Sequence, residues 1–159
     1  MILPDVNPLI YAFRIDAPQH AVSRGWLVSV LSGDAAFGLS PTALAAVVRI
    51  TTNPSAFPEP SQPGEAFAFC DYLLGQANCR IVEPGERHWG IFRRLCLDTD
   101  TRGRRVTDAW FAALAIEWDC EWITFDRDFA RFPGLKWGRP TVYRPTPPSP
   151  RRPRARGGR

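Results

Sequence analysis

The sequence predicts an α/β fold in which a short parallel sheet is flanked by helices. Short apolar segments with strand character alternate with longer segments whose apolar residues recur at helical spacing. Apolar residues make up 45% of the 159 residues, enough to build a core, which excludes a wholly disordered chain. This length suits one domain. We therefore expect one domain over residues 1–143, followed by a tail over residues 144–159.

The first half of the domain is predicted to hold two strands, Met1–Asp5 and Ala35–Leu39. The helices predicted there are Asn7–Arg14, a helix from Ser40 to about Thr52, and Gly64–Leu74. Asn7 is a possible N-cap of the first helix, with Pro8 in its first turn. The dipeptide Asn53-Pro54 ends the second helix, because a residue before proline disfavours the helical conformation. A proline-rich loop, Ser55–Ser61, follows it.

The second half of the domain is predicted to hold the strands Cys79–Val82 and Glu121–Phe125. The helices predicted there are Glu86–Leu97 and Asp108–Trp118, with a short turn or helix at Arg127–Arg131. Thr107 is the expected cap of the second of these helices. Helical spacing places several large side chains towards the core: Trp89, Phe92, Leu95, Cys96, Trp110, Phe111 and Trp118.

The positive charge of the chain is concentrated in the tail. Residues 1–143 hold 14 basic against 16 acidic side chains, whereas residues 144–159 add six arginines and no acid. The pI of about 9.2 therefore does not indicate a basic nucleic-acid-binding body. Rich in proline and arginine, the tail is predicted to be disordered. Its arginines would either add salt-sensitive affinity for RNA or form a simple soluble end, which we favour.

The spacing of the cysteines excludes a zinc ribbon, and the short length of the apolar runs excludes a membrane-spanning helix. Cys70, Cys79, Cys96 and Cys120 form no closely spaced pair, which excludes a zinc ribbon and favours reduced core residues. No basic segment with an apolar stretch after it opens the chain, and no apolar run reaches the ~20 residues that span a bilayer. The expectation is a cytoplasmic protein with no membrane partner.

Aspartates stand where the predicted strands end. Asp5 follows the first strand, Asp126 and Asp128 follow the last, and Asp108 lies in the first turn of an apolar helix. Ligands of an open α/β sheet bind beyond the carboxyl ends of its strands, so these four carboxylates could meet there. Plainer explanations exist: the helix dipole alone favours Asp108, and Asp126 and Asp128 could form a turn.

Carboxylates gathered in one place repel one another unless a proton or a cation intervenes. Oxygen ligands without histidine or cysteine favour Mg²⁺ or Mn²⁺ over zinc. Such a site supports hydrolysis of a phosphodiester, because bound metal ions orient water and neutralise the leaving oxygen.

Four segments carry a resemblance to a known family. They are LPDVNPLIYA at Leu3–Ala12, VRITTNP at Val48–Pro54, VTDAWFAALA at Val106–Ala115 and ITFDRDFARFPGL at Ile123–Leu135. In this order and spacing they resemble the PIN-domain ribonucleases, and more narrowly the VapC toxins of type II toxin–antitoxin systems. The resemblance implies a PIN-like three-layer fold and an endoribonuclease dependent on Mg²⁺ or Mn²⁺. It further implies a homodimer that cleaves structured RNA such as tRNA and is silenced by a cognate VapB-type antitoxin.

The resemblance also assigns roles to particular residues. Asp5, Asp108 and Asp126 match the catalytic, metal-binding acids, and Asp128 is an accessory metal ligand. Asn7 and Thr124 match polar residues that support the acids. The family usually has a glutamate in the helix after the second strand, but Leu39–Arg49 contains no acid, and Thr42 or a neighbour takes its place.

Arginines are candidates for contacting the RNA. Arg102, Arg104 and Arg105 precede Asp108 on a polar turn, where they either contact phosphates or are simply solvated. Arg49 would be an active-site cation or an ion-pair partner of one of the acids, and we favour the ion pair.

Two alternatives come from other functional classes. The missing glutamate is compatible with a PIN-like module that binds RNA or antitoxin without cleavage. A phosphatase of the haloacid-dehalogenase type also has an aspartate after its first strand. It needs a second aspartate two residues later, where this chain has Asn7, so it is the weaker alternative.

Overall fold

A five-stranded, all-parallel sheet forms the centre of the protein. The computed structural model describes residues 1–141, so the predicted domain end at residue 143 and the predicted tail lie outside the described residues. The strands are β1 (Ile2–Pro4), β2 (Phe37–Leu39), β3 (Cys79–Ile81), β4 (Glu121–Ile123) and β5 (Lys136–Gly138). Their order across the sheet is β3-β2-β1-β4-β5. The predicted α/β class with a short parallel sheet is confirmed.

Helices connect the strands and cover the sheet. They are α1 (Val6–Phe13), α2 (His20–Leu31), α3 (Pro41–Thr51), α4 (Pro63–Leu74), α5 (His88–Asp98) and α6 (Arg105–Glu117), with a 3₁₀ turn at Arg127–Arg131. None of the helices in residues 1–141 has the length and apolar character needed to cross a bilayer.

Strand β1 lies in the middle of the sheet and fixes the position of Asp5, the residue directly after it. Leu3 pairs with Trp122 of β4, and Ile2 pairs with Phe37 of β2. The ladder continues past the strand, because the Asp5 amide donates to the Ile123 carbonyl oxygen at 2.9 Å. The strand order reverses at β1, the kind of place at which α/β sheets bind ligands.

Two clusters of apolar side chains fill the space between the sheet and its helices. One contains α6, whose residues Ala109 and Phe111–Ala115 are all buried, together with Trp122 and Phe129. The other contains buried residues of α1, α2, α3 and α4, among them Leu9, Trp26, Val47 and Leu73. Helix α6 is buried between the sheet and α5, which explains why it is apolar on nearly every side.

Gly38 marks a close approach within the sheet. A Cβ atom on this residue would lie 2.7 Å from Cγ2 of Val82 and 3.1 Å from Cδ1 of Leu3. Both neighbours are fully buried, so a side chain on β2 at this position has no free volume.

Two elements were not predicted, and two caps differ from prediction. Helix α2 and strand β5 were both missed. Helix α1 begins at Val6 with Asp5 as its N-cap, so the prediction of Asn7 as the cap is wrong. Helix α6 begins at Arg105, one turn earlier than predicted, because a turn at Gly103 (φ +60°) precedes it, so Thr107 lies inside the helix and is not its cap.

The predicted core aromatics divide into two groups. Phe111 is 5% exposed and stacks on Trp122, as expected for a core residue. Trp89 and Trp118 are 69% and 44% exposed, so their predicted core positions are wrong. The Trp118 indole N–H donates to the Glu83 carbonyl oxygen at 2.8 Å, which places its ring at the surface.

The cysteines are all free, as predicted. Cys70 and Cys120 are buried, whereas Cys79 and Cys96 are only half-buried. Burial raises the pKa of all four thiols, which favours the uncharged form.

Candidate active site

A cleft of about 490 Å³ lies beyond the carboxyl ends of β1 and β4. The segments that line it are α1, the second half of α3, the loop after α3, the first turns of α6 and the turn after β4. Asp5, Asp108 and Asp126 are all among its lining residues. The chain therefore brings three carboxylates from distant positions to one edge of the sheet, where the sequence predicted them.

Asp5 is the most tightly held of these carboxylates, and it is 7% exposed. Its Oδ1 accepts the Val6 amide at 2.6 Å, which caps α1. Its Oδ2 accepts the Thr124 hydroxyl at 2.6 Å and the Asn7 side-chain amide at 2.8 Å. Each carboxylate oxygen is thus bound by the chain itself, and the side chain has one orientation.

Asn7 and Thr124 link the ends of β1 and β4. The Asn7 amide nitrogen also donates to Thr124 Oγ1 at 3.1 Å, and the Asn7 carbonyl oxygen accepts the Phe125 amide at 3.0 Å. Thr124 Oγ1 accepts the Asp126 amide at 3.0 Å. These bonds tie the backbone before Asp126 to the side chain of Asp5, so the two acids cannot move independently.

Burial is the main reason why Asp5 resists ionisation. It raises the pKa of the Asp5 carboxyl to about 6, against the hydrogen bonds from Thr124 and Val6, which lower it. The negative charges of Asp108 and Asp126 raise the same pKa further. The pKa of Asp108 is raised as well, by burial first and then by Asp126 and Asp128. A cation in the cleft would relieve this repulsion.

Asp126 and Asp128 share a turn at the mouth of the cleft. Asp126 Oδ1 accepts the Asp128 amide at 2.8 Å and caps the 3₁₀ turn. Asp126 lines the cleft, whereas Asp128 is exposed and forms an ion pair with Arg105 at 3.3 Å. Of the four acids predicted to meet, Asp128 is the one that does not line the cleft.

The donor set suits Mg²⁺ or Mn²⁺ better than zinc, because the cleft offers carboxylate oxygens and no histidine or cysteine. Within residues 1–141, no three carboxylate, histidine or cysteine side chains converge closely enough to hold one ion together. This arrangement is compatible with Mg²⁺, which keeps several water ligands and binds through one or two carboxylates.

Comparison with known proteins decides the family. The PIN domain family model matches residues 2–135. The chain is 41% identical to Ribonuclease VapC43 of Mycobacterium tuberculosis over 140 residues, covering 88% of this chain and 95% of the relative. It is 37% identical to Ribonuclease VapC25 of the same organism over 142 residues, covering 89% of this chain and 100% of the relative. The chain belongs to the PIN domain family. Within that family it is similar to the VapC ribonucleases.

Solved structures share the same fold at low sequence identity. The VapBC2 complex of Rickettsia felis, bound to a promoter DNA fragment, matches with a TM-score of 0.63 and 16% identity, over 87% of this chain and 98% of that one. VapC20 of M. tuberculosis, described as a sarcin–ricin loop cleaving toxin, matches with a TM-score of 0.63 and 14% identity, over 86% and 99%. The arrangement of strands and helices is therefore that of a PIN domain.

Helix α3 of this PIN domain faces the cleft without an acid. The side chains that it places there are Ala46, Arg49 and Ile50. Thr42 lies in the exposed first turn of α3 and does not line the cleft, so it lacks the supporting position predicted for it. The residue one turn later, Ala46, does line the cleft, and its methyl group cannot bind a metal.

The predicted arginines occupy two different places around this PIN-domain cleft. Arg49 lines the cleft, but within residues 1–141 it forms no ion pair, contrary to the pairing that the sequence favoured. Arg102 pairs with Asp100 at 2.8 Å on the exposed turn before α6. Arg104 is exposed on the same turn, and its charge, with that of Arg105, offsets only part of the rise in the pKa of Asp108.

Sequence reasoning missed the aromatic residues of the cleft. Tyr11 and Phe57 line it beside the acids, Tyr11 from α1 and Phe57 from the loop after α3. The signal available in the sequence was a phenylalanine inside a loop otherwise made of polar residues, alanine and proline.

Proposed function

We propose that this protein is a metal-dependent endoribonuclease that hydrolyses phosphodiester bonds in RNA and acts as the toxin of a type II toxin–antitoxin system. One observation carries the proposal: three carboxylates, from the end of β1, from α6 and from the turn after β4, line a single cleft. The similarity to proteins named VapC ribonucleases supports the choice of RNA as substrate.

Asp5, Asp108 and Asp126 are the residues that would hold Mg²⁺ or Mn²⁺, one or two of them directly and the others through water ligands of the ion, with Asp128 as an accessory carboxylate at the mouth of the cleft. When bound, the ion lowers the pKa of water and neutralises the leaving oxygen. The like charges of Asp108 and Asp126 raise the pKa of Asp5, and this repulsion favours binding of a cation over leaving the cleft empty.

The remaining polar residues of the cleft position these acids. Asn7 and Thr124 donate to the same oxygen of Asp5 and keep that carboxylate in one orientation. This placement is useful for catalysis, because small displacements of a catalytic group cost large factors in rate. Asn7 is an uncharged donor here and cannot exchange a proton, which disfavours the phosphatase alternative.

Arginines would bind the phosphates of the RNA around the acids. Arg49 lines the cleft without a carboxylate partner in the described residues, so its guanidinium is available to a phosphate. Arg104 and Arg105 lie at the start of α6, and Arg102 on the turn before it. Contacts of this kind supply affinity that falls with salt and does not depend on base sequence.

The proposed partners are those expected for a member of the same family. They are a structured RNA such as tRNA, a cognate VapB-type antitoxin that blocks the cleft, and a second copy of the chain in a homodimer. An enzyme with this substrate would act in the cytoplasm, where the RNA is.

The test is RNA cleavage by the purified protein during titration with Mg²⁺ or Mn²⁺. We expect cleavage that depends on the ion, loss of cleavage in Asp5→Asn, and normal cleavage in Asp34→Asn. Asp34 is a matched control, because it is exposed and lies beside a second pocket rather than in the cleft. Equal cleavage by Asp5→Asn and the wild type would refute the assignment.

One observation favours a second candidate, a module that binds RNA or antitoxin without cleaving. The α3 wall of the cleft presents Ala46 and no acid, which leaves one carboxylate fewer for metal binding than the family usually has. RNA binding that persists while no ion supports cleavage would favour this candidate over the nuclease.

A further inference from the structure

The aromatic side chains of the cleft differ in how far they are already engaged. Phe111 and Phe129 are 5% and 2% exposed and pack against Trp122, so they belong to the core. Tyr11 packs against Phe125 with ring centroids 5.5 Å apart. Phe57 is half-buried, and no aromatic ring of residues 1–141 stacks on it.

One face of the Phe57 ring is held by Arg14. The guanidinium carbon lies 4.4 Å from the ring centroid, within the range of a cation–π contact. The guanidinium is itself fixed by Asp16, through bonds of 2.8 and 2.6 Å, by Ser61 Oγ at 2.8 Å and by the Glu59 carbonyl oxygen at 2.8 Å. Arg14 is only 12% exposed, so the contact is substantially shielded from water.

The loop that carries Phe57 is tied down at both ends. At its start, the Phe57 amide donates to the Asn53 carbonyl oxygen at 3.1 Å, and at its end the Ser61 amide donates to the Thr51 carbonyl oxygen at 2.9 Å. Prolines at 54, 58 and 60 restrict the backbone further. The ring is thus presented in the cleft at little further cost in conformational entropy, which favours binding to a flat partner.

We propose that Phe57 is a specificity-determining residue that stacks on a nucleobase of the RNA next to the scissile bond. The proposal rests on the proposed ribonuclease function. The cleft places carboxylates and Arg49 where a phosphate would be bound. In the same wall it places the Phe57 ring, which packs in part against the apolar cluster of α1–α4 but is only half-buried and has no other ring of residues 1–141 stacked on it. A nucleotide supplies both a phosphate and a flat apolar base, and aromatic side chains bind single-stranded bases by stacking.

The first experiment compares Phe57→Leu with Phe57→Tyr and Phe67→Leu. Leucine keeps apolar volume but cannot stack, whereas tyrosine can. Phe67→Leu is the same substitution on α4, at an exposed position outside the cleft. The probe is a pool of oligoribonucleotides with randomised sequence, incubated with Mn²⁺ and sequenced at the new ends. We expect kcat/KM to fall about 10- to 100-fold in Phe57→Leu, mainly through KM, and by less than about twofold in the other two variants.

The second experiment separates stacking from a structural role of the loop. The best-cleaved sequence of the pool is resynthesised with one abasic nucleotide at each position flanking the scissile bond. For the wild type, one abasic position should lower kcat/KM by the same factor as Phe57→Leu lowers it on intact RNA. For Phe57→Leu, that abasic position should cause no additional loss, because the stacking partner is already absent.

Two outcomes overturn the stacking proposal while leaving the nuclease in place. One is equal cleavage of intact RNA by Phe57→Leu and Phe67→Leu. The other is a loss in Phe57→Leu that is the same factor for intact and abasic RNA, since a misplaced loop would act in this way. If the wild type cleaves no RNA with any ion, the proposed function fails, and the stacking proposal fails with it.

Discussion

Replacing Asp5 with asparagine should stabilise the metal-free protein at neutral and alkaline pH. The carboxyl group is buried beside two other acids, and its pKa is about 6 against an ordinary value of 3.8. The folded protein therefore holds this proton more tightly than the unfolded chain does. The protonated carboxyl contributes its full stabilisation to the fold below the ordinary pKa of 3.8. This contribution falls as the pH rises from 3.8 to about 6, and it is lost above about pH 6.

The size of the effect can be worked out from this shift and from the hydrogen bonds of Asp5. Raising the pKa of one group by about two units costs about 3 kcal/mol of folding free energy above both pKa values. Asparagine avoids that cost but has one acceptor oxygen, whereas the carboxylate accepts from Val6, Asn7 and Thr124. Losing part of this bonding costs about 1–2 kcal/mol. The expected net gain is about 1–2 kcal/mol near pH 8.

The assay is denaturant unfolding in EDTA near pH 8 and near pH 4, with Asp34→Asn as the control. We expect the stability difference between Asp5→Asn and the wild type to shrink by about 2 kcal/mol towards acid pH and to change sign. Adding Mg²⁺ should stabilise the wild type more than the variant, because ligand binding to the folded state adds to its stability. An Asp5→Asn variant that is less stable by the same amount at both pH values would refute the reasoning.

Three further predictions concern neighbouring features. Thr124→Val removes a bond that lowers the pKa of Asp5, so the acid limb of the pH–rate profile for RNA cleavage should move to higher pH; an unchanged limb would contradict this. Arg14→Met removes the hydrogen bonds from the guanidinium to Ser61 and to the Glu59 carbonyl oxygen, which hold the loop after α3. The free energy of unfolding should fall by about 1–2 kcal/mol in denaturant titrations, and amide hydrogen exchange in that loop should become faster. Unchanged exchange would show that these bonds do not hold the loop. Gly38→Ala places a Cβ against Val82 and should lower the free energy of unfolding by about 1–3 kcal/mol; full stability would show that this contact relaxes freely.

The elements that could be predicted are those whose apolar residues recur regularly or whose first and last residues are marked by capping residues or proline. Helix α3 is the clearest case, since Pro41 opens it and Asn53-Pro54 ends it. Helix α2 lacks such signals: Val22 and Val28 are half exposed, and no side chain caps its start. Strand β5 is three residues long and ends in glycine, so its strand character comes from pairing with β4 and not from its own composition.

The acids of the site could be placed from the sequence because parallel strands end at one edge. Asp5 and Asp126 need only that rule to be brought together. The wall formed by α3 depends on which face of the helix is turned inwards. The sequence pointed to Thr42 or a neighbour, and the residue that lines the cleft is Ala46, one turn later. Phe57 depends on a loop held by Arg14 from another element, and such a long-range contact leaves no periodic signal.

The position of β1 has a consequence for the order in which the parts of the cleft come together during folding. The first of the described strands, β1, is the middle strand of the sheet, and one of its neighbours is β4, whose residues 121–123 are distant from β1 in the sequence. Thr124 and Asp126, which complete the surroundings of Asp5, lie just after β4 in the chain. Pairing of β1 with β2 alone therefore leaves the carboxylate cleft unassembled, and the cleft forms only when β4 joins the other side of β1.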